Sequence, residues 1–294
     1  MRSGMLRVPG ASLYHEVRGQ GPVLLLLPGG GGDAAVFDGI ADVLAERFTV
    51  VAFDPRGYSR SLLDVPGPVD QRVEVQSEDA RRLLDHLAPD GEAAYVFGSS
   101  SGAIVALALL ARHPERLRLV VAHEPPCAAL LPDPAERGFF DEVHAVFRAD
   151  GLAAAAAHFM TGIGGTLKPM PDPAGLPPRT ADMIGRLGGN FPVFMEHELR
   201  QFTSYVPDEA ALAAASDRLV LAAGRETRGH LPYRPAAALA DRLGGEVTEF
   251  PGGHSGYTDC PEEFGPLLAG VLSRQYAGRR QGGCPGAARR RGGQ

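Results

Sequence analysis

Gly98-Ser99-Ser100-Ser101-Gly102 lies between an apolar run, Ala93 to Phe97, and an Ala/Leu-rich stretch, Ile104 to Arg112. The pattern reads as strand, sharp turn and helix, with glycines two positions either side of Ser100 that let strand and helix approach closely. Ser100 is then exposed at the sheet edge as a candidate nucleophile. Pro28-Gly29-Gly30-Gly31-Gly32-Asp33 follows the apolar run Val23 to Leu27 and precedes a helical pattern from Ala34 to Glu46, with Asp33 as its N-cap. Bare backbone N–H groups in such a loop, beside a helix start, suit a developing oxyanion. Near the other end, Val247 to Phe250 leads into Pro251-Gly252-Gly253-His254-Ser255-Gly256. A histidine flanked by glycines on a loop after a strand is free to reach a serine, so His254 is the candidate general base. The chain has nine histidines, but His86, His113, His144, His158, His197 and His230 fall in or beside helical patterns or between the sheet halves.

These three segments must be held by a common scaffold. Apolar runs at Leu6 to Val8, Ser12 to Val17, Val23 to Leu27, Phe48 to Phe53, Ala93 to Phe97, Leu117 to Val121, Leu219 to Ala223 and Val247 to Phe250 alternate with amphipathic helical patterns. Such alternation predicts a mostly parallel sheet covered on both faces.

The order and content of the segments resemble the α/β-hydrolase fold family over about residues 5 to 275. The resemblance implies an α/β class with a mostly parallel eight-stranded sheet, helices on both faces and a helical cap inserted after the sixth strand. Ser100 falls on the family's nucleophile, and the N–H groups of Ser101 and Gly30 fall on its oxyanion donors. Pro28 stands where a histidine that ties down the glycine loop is usual. Phe53-Asp54-Pro55-Arg56-Gly57-Tyr58-Ser59-Arg60-Ser61 looks like the D-x-R-G-x-G-x-S loop, with Ser59 in place of a glycine and Arg56 expected to brace the turn near the site.

The acid that orients the histidine has two candidates. The resemblance places an aspartate three residues after the glycine that closes the seventh strand, but that position holds Thr227, and the nearest carboxylate, Glu226, is one residue early. A one-residue slip on an extended segment turns a side chain the other way. Glu124, in His123-Glu124-Pro125-Pro126 after the sixth strand, is favoured over it; some lipases of this fold carry their acid there. Gly29, Gly31, Cys127, Phe194 and Phe202 are expected to line the substrate pocket.

The domain reading is a core of 1–124 and 218–277, a helical cap over 125–217, and an Arg/Gly-rich disordered tail over 278–294. Within the cap, helical patterns run Gly138 to Arg148, Leu152 to Thr161, Arg179 to Leu187 and Pro192 to Tyr205, broken by Gly162-Ile163-Gly164-Gly165 and by Pro169 to Pro173. Its aromatics are expected to divide between a substrate pocket and the cap's own packing. The net charge is -6; the tail holds five arginines and no acids, which leaves 24 basic against 35 acidic residues, or -11, in the body. Phosphate repels so acidic a body, so nucleic acid is not an expected partner. No run approaches the roughly 20 apolar residues needed to span a bilayer, and the N-terminus carries no signal-peptide core. Three widely spaced cysteines, Cys127, Cys260 and Cys284, suit a reducing compartment. The expectation is a cytoplasmic serine hydrolase, without cofactor or metal, that cleaves a small to medium, mainly apolar ester, thioester or lactone. Its oligomeric state is open. Epoxide hydrolases and haloalkane dehalogenases need an aspartate where Ser100 stands. Haloperoxidase chemistry, C–C bond hydrolysis, acyltransfer or cyclisation keep the same three residues. A non-catalytic ligand-binding protein is the alternative from another class.

Overall fold

The computed structural model describes residues 1–164 and 175–281, with side chains through Ser273. Eight strands form one path: β1 (Arg2–Val8), β2 (Ala11–Arg18), β3 (Val23–Leu27), β4 (Thr49–Phe53), β5 (Ala94–Ser99), β6 (Leu117–His123), β7 (Leu219–Gly224) and β8 (Thr248–Phe250). Their spatial order is β1-β2-β4-β3-β5-β6-β7-β8, and a two-residue strand, Leu62–Leu63, pairs with β2 at the side. β1–β2 and β2–β4 pair antiparallel; the rest of the path is parallel. β1 is longer than its apolar core because Arg2 to Val8 pairs in full with β2.

The period-two alternation of β3 shows why the sheet is covered twice. Leu25 and Leu27 pack with residues of α2 (Val73–Leu87) and α3 (Ser101–Arg112), while Leu24 and Leu26 pack with those of α1 (Asp38–Ala45) and the C-terminal helix. A strand apolar at every position is the signature of burial on both faces. The helix expected from Ala34 to Glu46 is a 3-10 turn, Ala34–Phe37, followed by α1, and Asp33 caps the turn through Ala35 N at 2.9 Å.

Between β6 and β7 the chain makes α4 (Pro134–Asp150), α5 (Leu152–Gly162), α6 (Pro178–His197), α7 (Leu199–Thr203) and α8 (Glu209–Ala214). The helices expected over Arg179 to Leu187 and Pro192 to Tyr205 are instead divided at Glu198, because α6 runs through Pro192. An interior proline costs a helix about 3 kcal/mol. Contacts of Arg186, Asn190 and Phe194 with the glycine loop bracket Pro192 and hold the helix through it. After β7 come α9 (Tyr233–Leu243), then, past β8, α10 (Gly256–Asp259) and α11 (Pro261–Gln281). α11 covers the first residues of the expected 278–294 tail; the rest of that tail, Gly165 and the Pro169 to Pro173 break lie outside the described residues. No helix among the described residues is long and apolar enough to cross a membrane.

Candidate active site

Ser100 sits between β5 and α3 with φ 54° and ψ -122°, a backbone strained for a residue with a side chain. The flanking glycines permit it. A Cβ on Gly98 would lie 2.3 Å from Gly102 O, and one on Gly102 would lie 2.2 Å from Leu27 O. Ser100 N donates to His123 O at 2.9 Å, which ties the turn to β6. Ser101 is the first residue of α3, so its N–H has no acceptor within the helix and points out at the positive end of the helix dipole. Gly29 backs onto Ser100: a Cβ there would stand 3.3 Å from Ser100 Cβ.

The histidine loop is packed as tightly. A Cβ on Gly224 would meet Gly252 O at 2.6 Å, and one on Gly256 would meet Pro251 O at 2.1 Å, so the ends of β7 and β8 touch through bare backbone. His254 Nδ1 faces Glu124 Oε2 at 2.5 Å. Glu124 itself has φ 50° and is fully buried; its N–H donates to Ala222 O at 2.9 Å, and Pro125 and Pro126 follow it. Its other oxygen, Oε1, accepts from Gly224 N at 2.8 Å and from the Thr227 hydroxyl. Burial alone raises the Glu124 carboxyl, but the hydrogen bond and charge of His254, with His123 and Thr227, outweigh it and hold the group at about 2. Glu124 is therefore an anion, and His254 donates to it from Nδ1, which leaves Nε2 as the basic nitrogen.

Glu226, the competing carboxylate, is exposed, and only its backbone serves the loop, donating to Gly252 O at 3.1 Å. Thr227 occupies the position where the resemblance expects an aspartate, and its hydroxyl supports the carboxylate that arrives from β6. The sequence reading missed that role. The signal lay in the displaced acid: where the resemblance expects a carboxylate, the chain carries another polar side chain, Thr227.

Two cavities meet at Ser100, Phe159, Phe194 and His254. One, about 20 Å³, is walled by Pro126, Phe140, Ile163, Leu199, Leu231 and Pro235. The other, about 290 Å³, runs along Gly29 to Gly32 with Val36, Leu187, Phe191 and Tyr257. Among the described residues no hydrogen bond joins the Ser100 hydroxyl to the imidazole, although both side chains open onto both cavities. Gly29, Gly31 and Phe194 line this space as expected. Cys127 and Phe202 do not. Both are fully buried in the core cluster beneath, and burial pushes the Cys127 thiol up. The break at Glu198 turns α7 onto α3, which sends Phe202 into the core, and Pro126 takes the wall position expected of Cys127.

One face of α6 follows the glycine loop at four-residue steps. Arg186 Nε donates to Asp33 Oδ2 at 2.6 Å. Asn190 Nδ2 donates to Gly31 O at 2.9 Å and its Oδ1 accepts from Ser59 N at 3.0 Å. The Phe194 ring lies on Gly30, where a Cβ would stand 2.1 Å from ring carbon Cε2. Glu198 ends the row. The loop that lacks its usual histidine at Pro28 is thus pinned by the insertion. Ser59 has φ 49°, which explains why a glycine is usual there, and its hydroxyl bonds Asp33 at 3.2 Å. Arg56, expected to brace the turn near the site, instead pairs with Asp79 on α2 at 2.7 Å; Arg60 holds Asp54, which in turn accepts from Ala34 N at 2.9 Å. Among the described residues no group of three His, Cys, Asp or Glu side chains is placed to hold a metal ion.

A serine at a strand-to-helix elbow in this strand order defines an α/β hydrolase. Residues 22–179 match the alpha/beta hydrolase fold family, and the chain belongs to it. It is 38% identical over 285 residues to an uncharacterized hydrolase, YraK, of Bacillus subtilis, with 94% of this chain and 97% of that protein covered. Zearalenone hydrolase of Bionectria ochroleuca is 35% identical over 134 residues, 44% of this chain and 49% of that one. Among solved structures, a thermophilic esterase from Thermogutta terrifontis superposes with a TM-score of 0.70 at 18% identity, covering 94% of this chain and 99% of its own.

Proposed function

We propose that the chain is a serine hydrolase that works through an acyl-enzyme on Ser100. His254 Nε2 takes the hydroxyl proton as Ser100 Oγ attacks a carbonyl carbon, and Glu124 stabilises the imidazolium through Nδ1–H. The N–H groups of Gly30 and Ser101 receive the oxyanion. His254 returns its proton to the leaving group, and water, activated by the same histidine, releases the acid. The observation that carries this reading is the Glu124–His254 hydrogen bond, 2.5 Å, on a histidine that shares a cavity with a strained serine.

The walls are mostly apolar and the larger cavity is about 290 Å³, near the lower end for ligand sites, which favours a small to medium ester, thioester or lactone. The helices between β6 and β7 act as the cap that shapes this space. The partial match to zearalenone hydrolase supports hydrolysis as the reaction.

The test is labelling with a fluorophosphonate followed by a panel of p-nitrophenyl esters, thioesters and lactones. Stoichiometric labelling that Ser100→Ala abolishes and His254→Ala slows is the expected result. An unlabelled parent chain refutes the reading and leaves a ligand-binding protein.

A further inference from the structure

Glu198 is a buried carboxyl that the reaction above does not use and that, unlike the buried Glu16, Asp33, Asp54 and Asp79, pairs with no arginine among the described residues. It closes the four-residue row of α6, is 2% exposed, and reaches under the glycine loop, where Oε1 stands 3.0 Å from the place of a Cβ on Gly30. Its Oε2 accepts from the Tyr58 hydroxyl at 2.7 Å, and Tyr58 is equally buried, at 1%. The groups that face it come from four elements: Tyr58 from the loop after β4, Ser101 from α3, Gln76 from α2 and the main chain of Gly30. None is a cation, and among the described residues no ion pair includes Glu198. Burial lifts its carboxyl above the ordinary range, and bonding to Tyr58, Ser101 and Gln76 offsets only part of that.

The position matters because Gly30 and Ser101 supply the two N–H groups assigned to the oxyanion. A carboxylate beside them competes with the oxyanion for their positive potential. A neutral carboxylic acid leaves it intact and fixes Tyr58 and Ser101 by hydrogen bonding. We propose that Glu198 is a positioning residue, an uncharged acid lodged beneath the oxyanion loop, whose loss of a proton shuts the reaction down on the alkaline side.

This inference rests on the hydrolase reading, and its test separates the two. A serine hydrolase governed by its histidine alone loses activity only as pH falls. Here kcat is expected to fall at alkaline pH as well. Glu198→Gln, which keeps shape and hydrogen bonding without a titrating proton, is expected to keep kcat at neutral pH within about threefold and to lose the alkaline limb. Tyr58→Phe removes a donor that favours the anion, so it should shift the limb to higher pH. A Glu198→Gln profile that superimposes on the parent overturns the proposal, as does a Tyr58→Phe limb that moves down or stays in place. Infrared difference spectra of parent minus Glu198→Gln at neutral pH supply a readout independent of turnover. The carbonyl stretch of a protonated carboxyl supports the proposal, and a carboxylate signature refutes it even in a chain inactive on every ester. Failure of Ser100 labelling refutes the hydrolase reading and with it the alkaline limb, while the infrared readout alone decides whether Glu198 is uncharged.

Discussion

Replacing Glu124 by Gln tests the site at its most constrained point. Oε1 receives two donors, Gly224 N at 2.8 Å and the Thr227 hydroxyl, so the amide oxygen of the variant must take that place. The amide nitrogen then occupies the position of Oε2, 2.5 Å from His254 Nδ1, and presents a proton to it. His254 can accept there only as the tautomer protonated on Nε2, which is the nitrogen that must take the proton from Ser100. The geometry survives while the base is disabled. By analogy with such tautomer inversion in other triads, kcat should fall about 10⁴-fold, or about 5 kcal/mol at 1.36 kcal/mol per tenfold, with KM little changed. Steady-state hydrolysis of p-nitrophenyl acetate measures this, with Glu226→Gln beside it. Because Glu226 is exposed and contributes only backbone, its variant should stay within about twofold of the parent. A Glu124→Gln chain that keeps more than about a tenth of the parental kcat, or a comparable loss in Glu226→Gln, refutes the reasoning.

Gly30→Ala places a methyl 2.1 Å from the Phe194 ring, so loop or helix must shift. Turnover should fall about 10²-fold, the loss of roughly one oxyanion donor, while fluorophosphonate labelling is slowed rather than abolished. Glu124 also predicts acid sensitivity. Its carboxyl lies at about 2 in the folded chain, below its unfolded value, so the stability it contributes is present above about pH 4.3 and is lost as pH falls toward 2. The term is on the order of 3 kcal/mol at neutral pH. Denaturant titrations of parent and Glu124→Gln should show a gap that narrows across that range; a gap independent of pH contradicts the assignment.

The residues that act through backbone shape were legible from sequence, because glycine at a close approach leaves no alternative. Gly98 and Gly102 announced the elbow, and Gly253 and Gly256 marked the loop that carries His254. The parallel sheet was legible because β3 is apolar at every position. Carboxylates were harder. Glu124 and Glu226 both follow strands, and which of them turns inward depends on the φ of 50° at Glu124, which no residue type signals. Phe202 and Phe194 look alike on a helical pattern, and a break at Glu198, not their chemistry, sends one to the core and the other to the cavity. Pro192 reads as the start of a separate helix by local propensity, but contacts distant in sequence overrode it. Glu198 had no signature at all, since a glutamate near a helix end is ordinarily a solvated residue.

The α6 row has one more result. The same helix walls the chamber with Leu187, Phe191 and Phe194 and grips the main chain of the glycine loop through Asn190 and Phe194. Any displacement of α6 would therefore reshape the chamber wall and the main chain at Gly30 and Gly31 together, so the room beside Ser100 and the set of the loop are one mechanical variable.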